Sequence, residues 1–244
     1  MKDNRVLLGF SGGIDSFAAV GLLQAAGYHV TALTLDMRGD SALLEKARLR
    51  AGALGIPWRM RSVRERFERE VVDYFTDSYF RGRTPAPCTR CNSRIKWPCL
   101  AAEADALGIR YIATGHYFRI TSAGGKRYVT RAADNRKDQS YYLWDLPQEI
   151  LDRVLTPMGT VIKRNIVEEL ADRRESMGVC FFEGRPCRDF LRSRDKTEAL
   201  RPGPIIDSAG HRLGTHDGAA LYTIGQKKGL DLPPGWAVVA IDTA

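Results

Sequence analysis

Two stretches of this 244-residue chain carry residue types that can do chemistry. The first is Ser11-Gly12-Gly13-Ile14-Asp15-Ser16. Paired glycines let the backbone approach a ligand closely, and the amides of a following helix then point at an anion. Ser11 and Ser16 add hydroxyls, whereas Asp15 beside an anion needs Mg²⁺ or the turn itself to satisfy it. The bland alternative is a helix cap with a flexible turn, since Asp and Ser are common caps. The loop is not a Walker loop, because no G-x-x-x-x-G-K-[ST] occurs. The second stretch, residues 81–96, reads RGRTPAPCTRCNSRIK, with Arg81, Arg83, Arg90, Arg94 and Lys96 and no acid. Pro85 and Pro87 are expected to keep this loop out of a helix. Asn92 is expected to cap the next helix, so that positive neighbours and the helix dipole depress the thiol pKa of Cys91. Three readings of Cys88-x-x-Cys91 stay open. They are half a zinc site completed by Cys99, Cys180 or Cys187, a structural pair of thiols, and a nucleophilic loop pressed on a phosphate-bearing substrate.

The elements that must position these residues follow from the pattern. Arg5–Phe10 is a short apolar run, Phe17–Ala26 is helix-like, and Gly27 closes that helix. His29–Leu35 reads as a strand, 41–54 as a helix, and Trp58–Val63 as a strand before a charged helix to about Phe80. Asn92–Leu107 is helical and Tyr111–Thr114 is a strand. Such alternation predicts a parallel α/β sheet with helices on both faces, whose ligands sit at the carboxyl ends of the strands. Both SGGIDS and the Ala113–His116 turn fall there. Then come a hairpin (118–120 with 128–131), a helix over 163–174, and from Pro202 a Gly- and Pro-dense small β module.

The totals set the limits. There are 37 Lys plus Arg against 29 Asp plus Glu, a net charge of +8, which suits a polyanionic partner without identifying it. The 44% hydrophobic and 27% charged content excludes disorder, collagen and a coiled coil as the main architecture. No apolar run approaches the roughly 18 to 20 residues of a membrane span. With no leader visible, the expectation is a cytoplasmic protein whose five cysteines form no disulfide framework.

The glycine loop resembles the PP-loop of the N-type ATP pyrophosphatases. That likeness implies an adenine nucleotide alpha hydrolase-like, Rossmann-like domain that binds ATP, forms an adenylate and releases pyrophosphate. Residues 82–97, GRTPAPCTRCNSRIKW, resemble the corresponding segment of bacterial tRNA 2-thiouridine synthases of the MnmA/TrmU type. Further matches run in family order: ATGHY (113–117), Asp134, KDQSYYL (137–143), Pro157-x-Gly159 with Lys163, SMGVCFF (176–182), Pro202-Gly203, Gly210, Gly214-Thr215-His216-x-Gly218, and YTIGQKKGL (222–230).

This resemblance implies a tRNA-uridine 2-sulfurtransferase using ATP and Mg²⁺. It implies Cys91 as nucleophile and Cys180 as carrier of persulfide sulfur, with a Cys91–Cys180 disulfide as one outcome of the reaction. Gly9, Phe10, Ser11, Gly12, Gly13, Ile14, Asp15, Ser16, Leu35 and Gly115 would hold ATP. Ala86, Pro87 and Cys88 would approach the target base, and His116, Lys137, Asp138 and Gln139 would touch tRNA. The implied partners are tRNA and a persulfide-carrying sulfur donor, with no membrane. The implied domains are 1–178 for ATP binding and catalysis, 179–232 as a small tRNA-binding domain, and 233–244 as the start of a C-terminal β-barrel of roughly a hundred residues, truncated here. Residues 185–201 are expected to add tRNA contacts.

Some positions depart from the family. Cys88 stands where Asp is common, so Cys88, Cys91 and Cys180 as ligands of a [4Fe–4S] cluster is the alternative to the persulfide route. Ala86 and Phe17 replace Asn and Ser, and the segment after Leu35 is short. Two other functions remain open: a PP-loop ligase that attaches an amine, and a tRNA-binding or zinc-ribbon-like module without catalysis. No S-adenosylmethionine-type loop is present, so methyl transfer is not expected.

Overall fold

Val6, Leu7 and Leu8 are all buried in the first strand, β1 (Arg5–Gly9), because a parallel strand is covered on both faces. The computed structural model describes residues 4–169, 178–194 and 200–243. The described residues fall into two compact units, one drawn from residues 1–70 and 88–176 and the other from residues 71–87 and 177–244.

The first unit is built on a five-stranded, all-parallel sheet in the order β3-β2-β1-β4-β7. Its strands are β1, β2 (His29–Asp36), β3 (Trp58–Ser62), β4 (Tyr111–Thr114) and the two-residue β7 (Val154–Leu155). Successive side chains of β1 point to opposite faces. Val6 and Leu8 join Ala19, Val20 and Leu23 of α1 (Ile14–Ala25) and Ala47 and Ala51 of α2 (Ser41–Ala53). Leu7 joins Trp97, Leu100 and Ala104 of α6 (Trp97–Ala106), with Ile112, Phe118 and Leu143. Helices therefore cover both faces, as the alternation of elements predicted. Chain order reverses between β1 and β4, and in such sheets ligands bind outside the strand ends at that reversal.

The hairpin is present as β5 (Arg119–Ala123) and β6 (Lys126–Thr130), with Gly124 and Gly125 both at positive φ. The helix expected over 163–174 is described as α8 (Lys163–Glu169), and residues 170–174 lie outside the described residues. Strand β7 gave no signal in the sequence, since two residues carry no period.

The cysteine segment differs from expectation. Pro87 begins a helix, α5 (Pro87–Cys91), which continues through a π-type turn at Asn92–Lys96 into α6. Proline suits a first helical position, because the missing N–H would have no intrahelical partner there. Asn92 therefore lies inside the helix and does not cap it. Its amide donates to the carbonyls of Cys88 (3.0 Å) and Tyr142 (3.3 Å). Cys88, and not Cys91, is the cysteine in the first turn of this helix.

The second unit takes in residues 71–87, which lie inside the stretch expected to form the first domain. Phe75 of α4 (Tyr74–Phe80) is the reason. Its ring lies 5.3 Å from Phe181, 5.4 Å from Phe182 and 6.0 Å from Phe190, which with Tyr79 at 4.9 Å makes an aromatic core. Phe190 sits on α9 (Cys187–Ser193), and β8 (Gly203–Ile206) pairs antiparallel with β9 (Arg212–His216), giving the expected β character. No helix among the described residues is long and apolar enough to cross a membrane.

Candidate functional site

The glycine loop leaves β1 and enters α1 at the β1–β4 reversal. Gly12 has φ +69, a conformation glycine adopts without strain. A Cβ there would also lie 2.9 Å from Ala47 Cα, so Gly12 and Ala47 together let α2 pack against the loop. Ser11 Oγ accepts from the Gly13 amide at 3.3 Å, and Ser16 Oγ donates to the Gly13 carbonyl at 2.9 Å. The first intrahelical bond of α1 runs from the Phe17 amide to the Gly13 carbonyl at 3.0 Å. The amides of Ile14, Asp15 and Ser16 thus precede the ladder and point out of the helix end, where the dipole favours an anion. Arg50 of α2 donates to the Gly12 carbonyl at 2.6 Å and brings positive charge to the loop.

Gly115 follows β4. A Cβ there would stand 2.8 Å from the Ser16 amide nitrogen and 2.9 Å from the Asp15 carbonyl carbon. Only a residue without a side chain lets the β4 turn lie against the first turn of α1. Leu35 is half-buried near the end of β2. The next residue, Asp36, is buried and accepts from Arg64 (2.6 Å) and the Gly39 amide (2.7 Å). Burial pushes its pKa up, but the Arg64 hydrogen bond and the Gly39 amide outweigh it and leave the carboxyl below the usual range. These bonds fix the turn after β2 beside the loop.

Asp15 is satisfied by the protein itself. One oxygen accepts from the Tyr117 hydroxyl (2.9 Å), and the other pairs with the Lys163 ammonium (2.9 Å). Tyr117 and Lys163 are both buried.

His116 accepts or donates at Nδ1 to Thr114 Oγ1 over 2.8 Å, and its ring centroid lies 6.5 Å from that of Trp97. Burial, then the charge of Lys96, push its pKa well below the ordinary histidine value, so the ring is neutral at pH 7. Asp138 accepts from the Ala132 amide (2.7 Å) and Ser140 (2.6 Å), and the Gln139 side chain accepts from the Tyr117 amide (3.0 Å). Asp138 and Gln139 therefore fasten their own turn, while the Lys137 amide donates to the Asp134 carbonyl at 3.1 Å.

On α5, Cys88 is half-buried and Cys91 buried, one helical turn apart. Ala86 is exposed and Pro87 buried. Thr89, Asn92 and Trp97 are buried, and each has one polar side-chain atom, like that of Ser93, with no hydrogen-bond partner among the described residues. Cys180, in the second unit, is exposed at the start of a single 3₁₀ turn, Cys180–Phe182. Among the described residues no three His, Cys, Asp or Glu side chains gather closely enough to hold a metal ion.

The structure thus brings together Gly9 to Ser16, Leu35 and Gly115 at one end of the sheet, and adds Arg50, Tyr117 and Lys163. Lys163 stands in the P-x-G…K motif, but nothing in the sequence tied it to Asp15, and Arg50 gave no signal. Of the basic residues expected on 185–201, Arg188 lies over the Tyr222 ring (4.9 Å) and Arg192 pairs with Asp217 (2.8 Å). Residues 195–199 lie outside the described residues.

Comparison with known proteins agrees with this arrangement. A family model described as "tRNA methyl transferase HUP domain" matches residues 4–184, and one described as "tRNA methyl transferase PRC-barrel domain" matches residues 188–244. A tRNA-specific 2-thiouridylase MnmA 2 of Phocaeicola vulgatus is 42% identical over 97% of this chain and 70% of its own length. MnmA 1 of Bacteroides fragilis is 42% identical over 97% of this chain and 71% of its own length. MnmA of Carboxydothermus hydrogenoformans is 39% identical over 98% of this chain and 71% of its own length. Likeness of this extent, over a glycine loop and a cysteine helix of the kind described, means that the chain belongs to the tRNA-specific 2-thiouridylase MnmA family.

Proposed function

We propose that this protein carries out ATP-dependent 2-thiolation of the wobble uridine of tRNA. The observation that carries the reading is the set of outward amides at Ile14–Ser16, at the strand-order reversal, with Gly115 packed directly against them. That cradle fits the leaving pyrophosphate of ATP, and 42% identity to a curated 2-thiouridylase supplies the substrate class. The family-model descriptions name methyl transfer, but a thiol pair on a basic helix favours sulfur chemistry.

The chemistry runs in balanced steps. The uracil C2 oxygen attacks the α-phosphorus of ATP, pyrophosphate leaves, and C2 carries an adenylate. The terminal sulfur of a Cys180 persulfide attacks C2, and AMP departs with the electron pair of the C2–O bond. Cys91 thiolate then attacks the Cys180 sulfur, which closes a Cys91–Cys180 disulfide and releases the 2-thio base. The persulfide sulfur comes from a donor protein, and reductant restores the thiols. Ala86, Pro87 and Cys88 approach the base, and His116 and Lys137–Gln139 lie near the RNA. Mg²⁺ would supply charge neutralisation of the ATP phosphates, while Asp15 is held by Tyr117 and Lys163. In a cytoplasmic protein, residues 1–178 serve catalysis, 179–232 bind tRNA and 233–244 begin a barrel, with residues 71–87 of the first stretch packing in the second unit.

One observation favours a second route. Cys88 and Cys91 lie one turn apart on α5, the spacing of neighbouring helix side chains, so both can face one group. A [4Fe–4S] cluster on this route would need Cys180 as a third thiolate beside these two, and would supply the site that takes up the transferred sulfur. Iron and sulfide analysis of anaerobically purified protein decides between the routes when run beside a nucleoside mass-spectrometric assay for 2-thiouridine. Iron-free protein that thiolates removes the cluster. Cys91→Ser and Cys180→Ser abolish thiolation under either route; full turnover by both variants would instead favour a PP-loop ligase that attaches an amine.

A further inference from the structure

The motif Pro157-x-Gly159…Lys163 has no part in the chemistry above, yet its backbone is held tightly. A Cβ on Gly159 would lie 2.6 Å from the Phe118 carbonyl oxygen and 2.8 Å from Arg119 Cγ, so this turn runs directly against the segment after β4. The Gly159 carbonyl accepts from the Ala133 amide at 2.9 Å. Asp134 then accepts from the Lys163 amide at 3.0 Å with one oxygen and from the Arg136 amide at 3.1 Å with the other. These bonds fix where the Lys163 side chain begins. Its side chain is 9% exposed, and its ammonium reaches Asp15, 148 residues away in sequence, at 2.9 Å. The ammonium also lies 5.8 Å from the centroid of the Tyr117 ring, whose hydroxyl holds the second Asp15 oxygen.

Asp15 is the second residue of α1, beside the amides that face the bound anion. A carboxylate there suits the helix dipole but repels a phosphate. We propose that Lys163 is a positioning residue of the phosphate loop. Its buried ammonium cancels the Asp15 charge and turns the carboxylate away from the amide cradle, so that pyrophosphate meets amides and Arg50 and no net negative charge. Lys163 acts through Asp15 and does not itself touch the nucleotide. The inference rests on the nucleotide-binding reading of the loop.

The test is a double-mutant cycle read by calorimetric titration with inorganic pyrophosphate and with Mg–ATP. Lys163→Met weakens pyrophosphate binding about tenfold or more with Asp15 present, and by less than about threefold when Asp15→Asn is present too. In thiolation assays Lys163→Met raises KM for ATP more than it lowers kcat, and Lys163→Arg recovers part of the affinity. A purely structural lysine would lower the melting temperature without this rescue. Equal losses in the two backgrounds, or no loss in the first, overturn the proposal. If Lys163→Met does not fold, Lys163→Gln enters the same cycle under the same criteria. Wild-type protein that binds neither pyrophosphate nor ATP would instead overturn the nucleotide reading itself, a distinguishable result.

Discussion

Replacing Gly115 by alanine tests whether the β4 turn truly rests on the phosphate cradle. The added methyl would stand 2.8 Å from the Ser16 amide nitrogen, 2.9 Å from the Asp15 carbonyl carbon and 3.0 Å from Ser16 Cα. Ordinary contact begins near 3.4 Å, so about 0.6 Å must be recovered, and every atom met is backbone. No side chain can rotate away, and either the β4 turn or the first turn of α1 must move. Overpacking of this kind costs about 1–3 kcal/mol. For a chain of this size that lowers the melting temperature by about 2–12 °C. The Ser16 amide is also one of the donors facing the anion, so pyrophosphate binding falls about tenfold or more, the equivalent of at least ~1.4 kcal/mol. Gly21→Ala is the matched control. It lies inside α1 with nothing within 4 Å of its Cβ position, and the helix gains about 0.5–1 kcal/mol. Scanning calorimetry with pyrophosphate titration reads both variants. A Gly115→Ala protein with the wild-type midpoint and affinity would refute the claimed packing.

Asp36→Asn removes a buried charge that Arg64 and the Gly39 amide hold, and is expected to destabilise by about 1–3 kcal/mol in urea unfolding. Because the folded carboxyl is below its ordinary pKa, its contribution is complete above about pH 4 and is lost as pH falls through the folded value. The variant therefore shows a shallower acid limb of stability than wild type. His116 has a depressed pKa, so the unfolded chain takes up its proton first and stability falls as pH drops below about 6.5. His116→Gln flattens that segment of the stability profile, and the His116 ring signals in a wild-type NMR titration do not move at pH 6.5. Brief alkylation followed by peptide mass mapping labels exposed Cys180 well before Cys91 and Cys99, which are 6% and 5% exposed. Cys187 reacts slowly as well, since burial raises its thiol pKa despite the Tyr79 hydrogen bond.

The sequence by itself determined what local rules control. Apolar runs separated by helical periods set a parallel sheet, because a strand covered on both faces has to be apolar along its length. The glycines of SGGIDS set a close backbone approach between β1 and α1. The Gly-Gly pair set the tight hairpin turn, and the order of motifs carried the family resemblance. Local reasoning misled at Pro87 and Asn92, where a rule about helix breaking met a residue at a helix start and a presumed cap proved to be helix interior. Tertiary structure alone decided the partners of Asp15. Lys163 meets it only because β4 and β7 lie on the same side of β1 and Gly159 lets the connecting turn press on the Phe118 backbone. In the same way Arg50 reaches the Gly12 carbonyl only because a small residue, Ala47, lets α2 close on the loop, and residues 71–87 join the second unit because Phe75 packs among Phe181, Phe182 and Phe190. Short-range patterns follow from backbone sterics and periodicity and can be read along the chain. A charge pair spanning 148 residues depends on strand order, which no local period encodes.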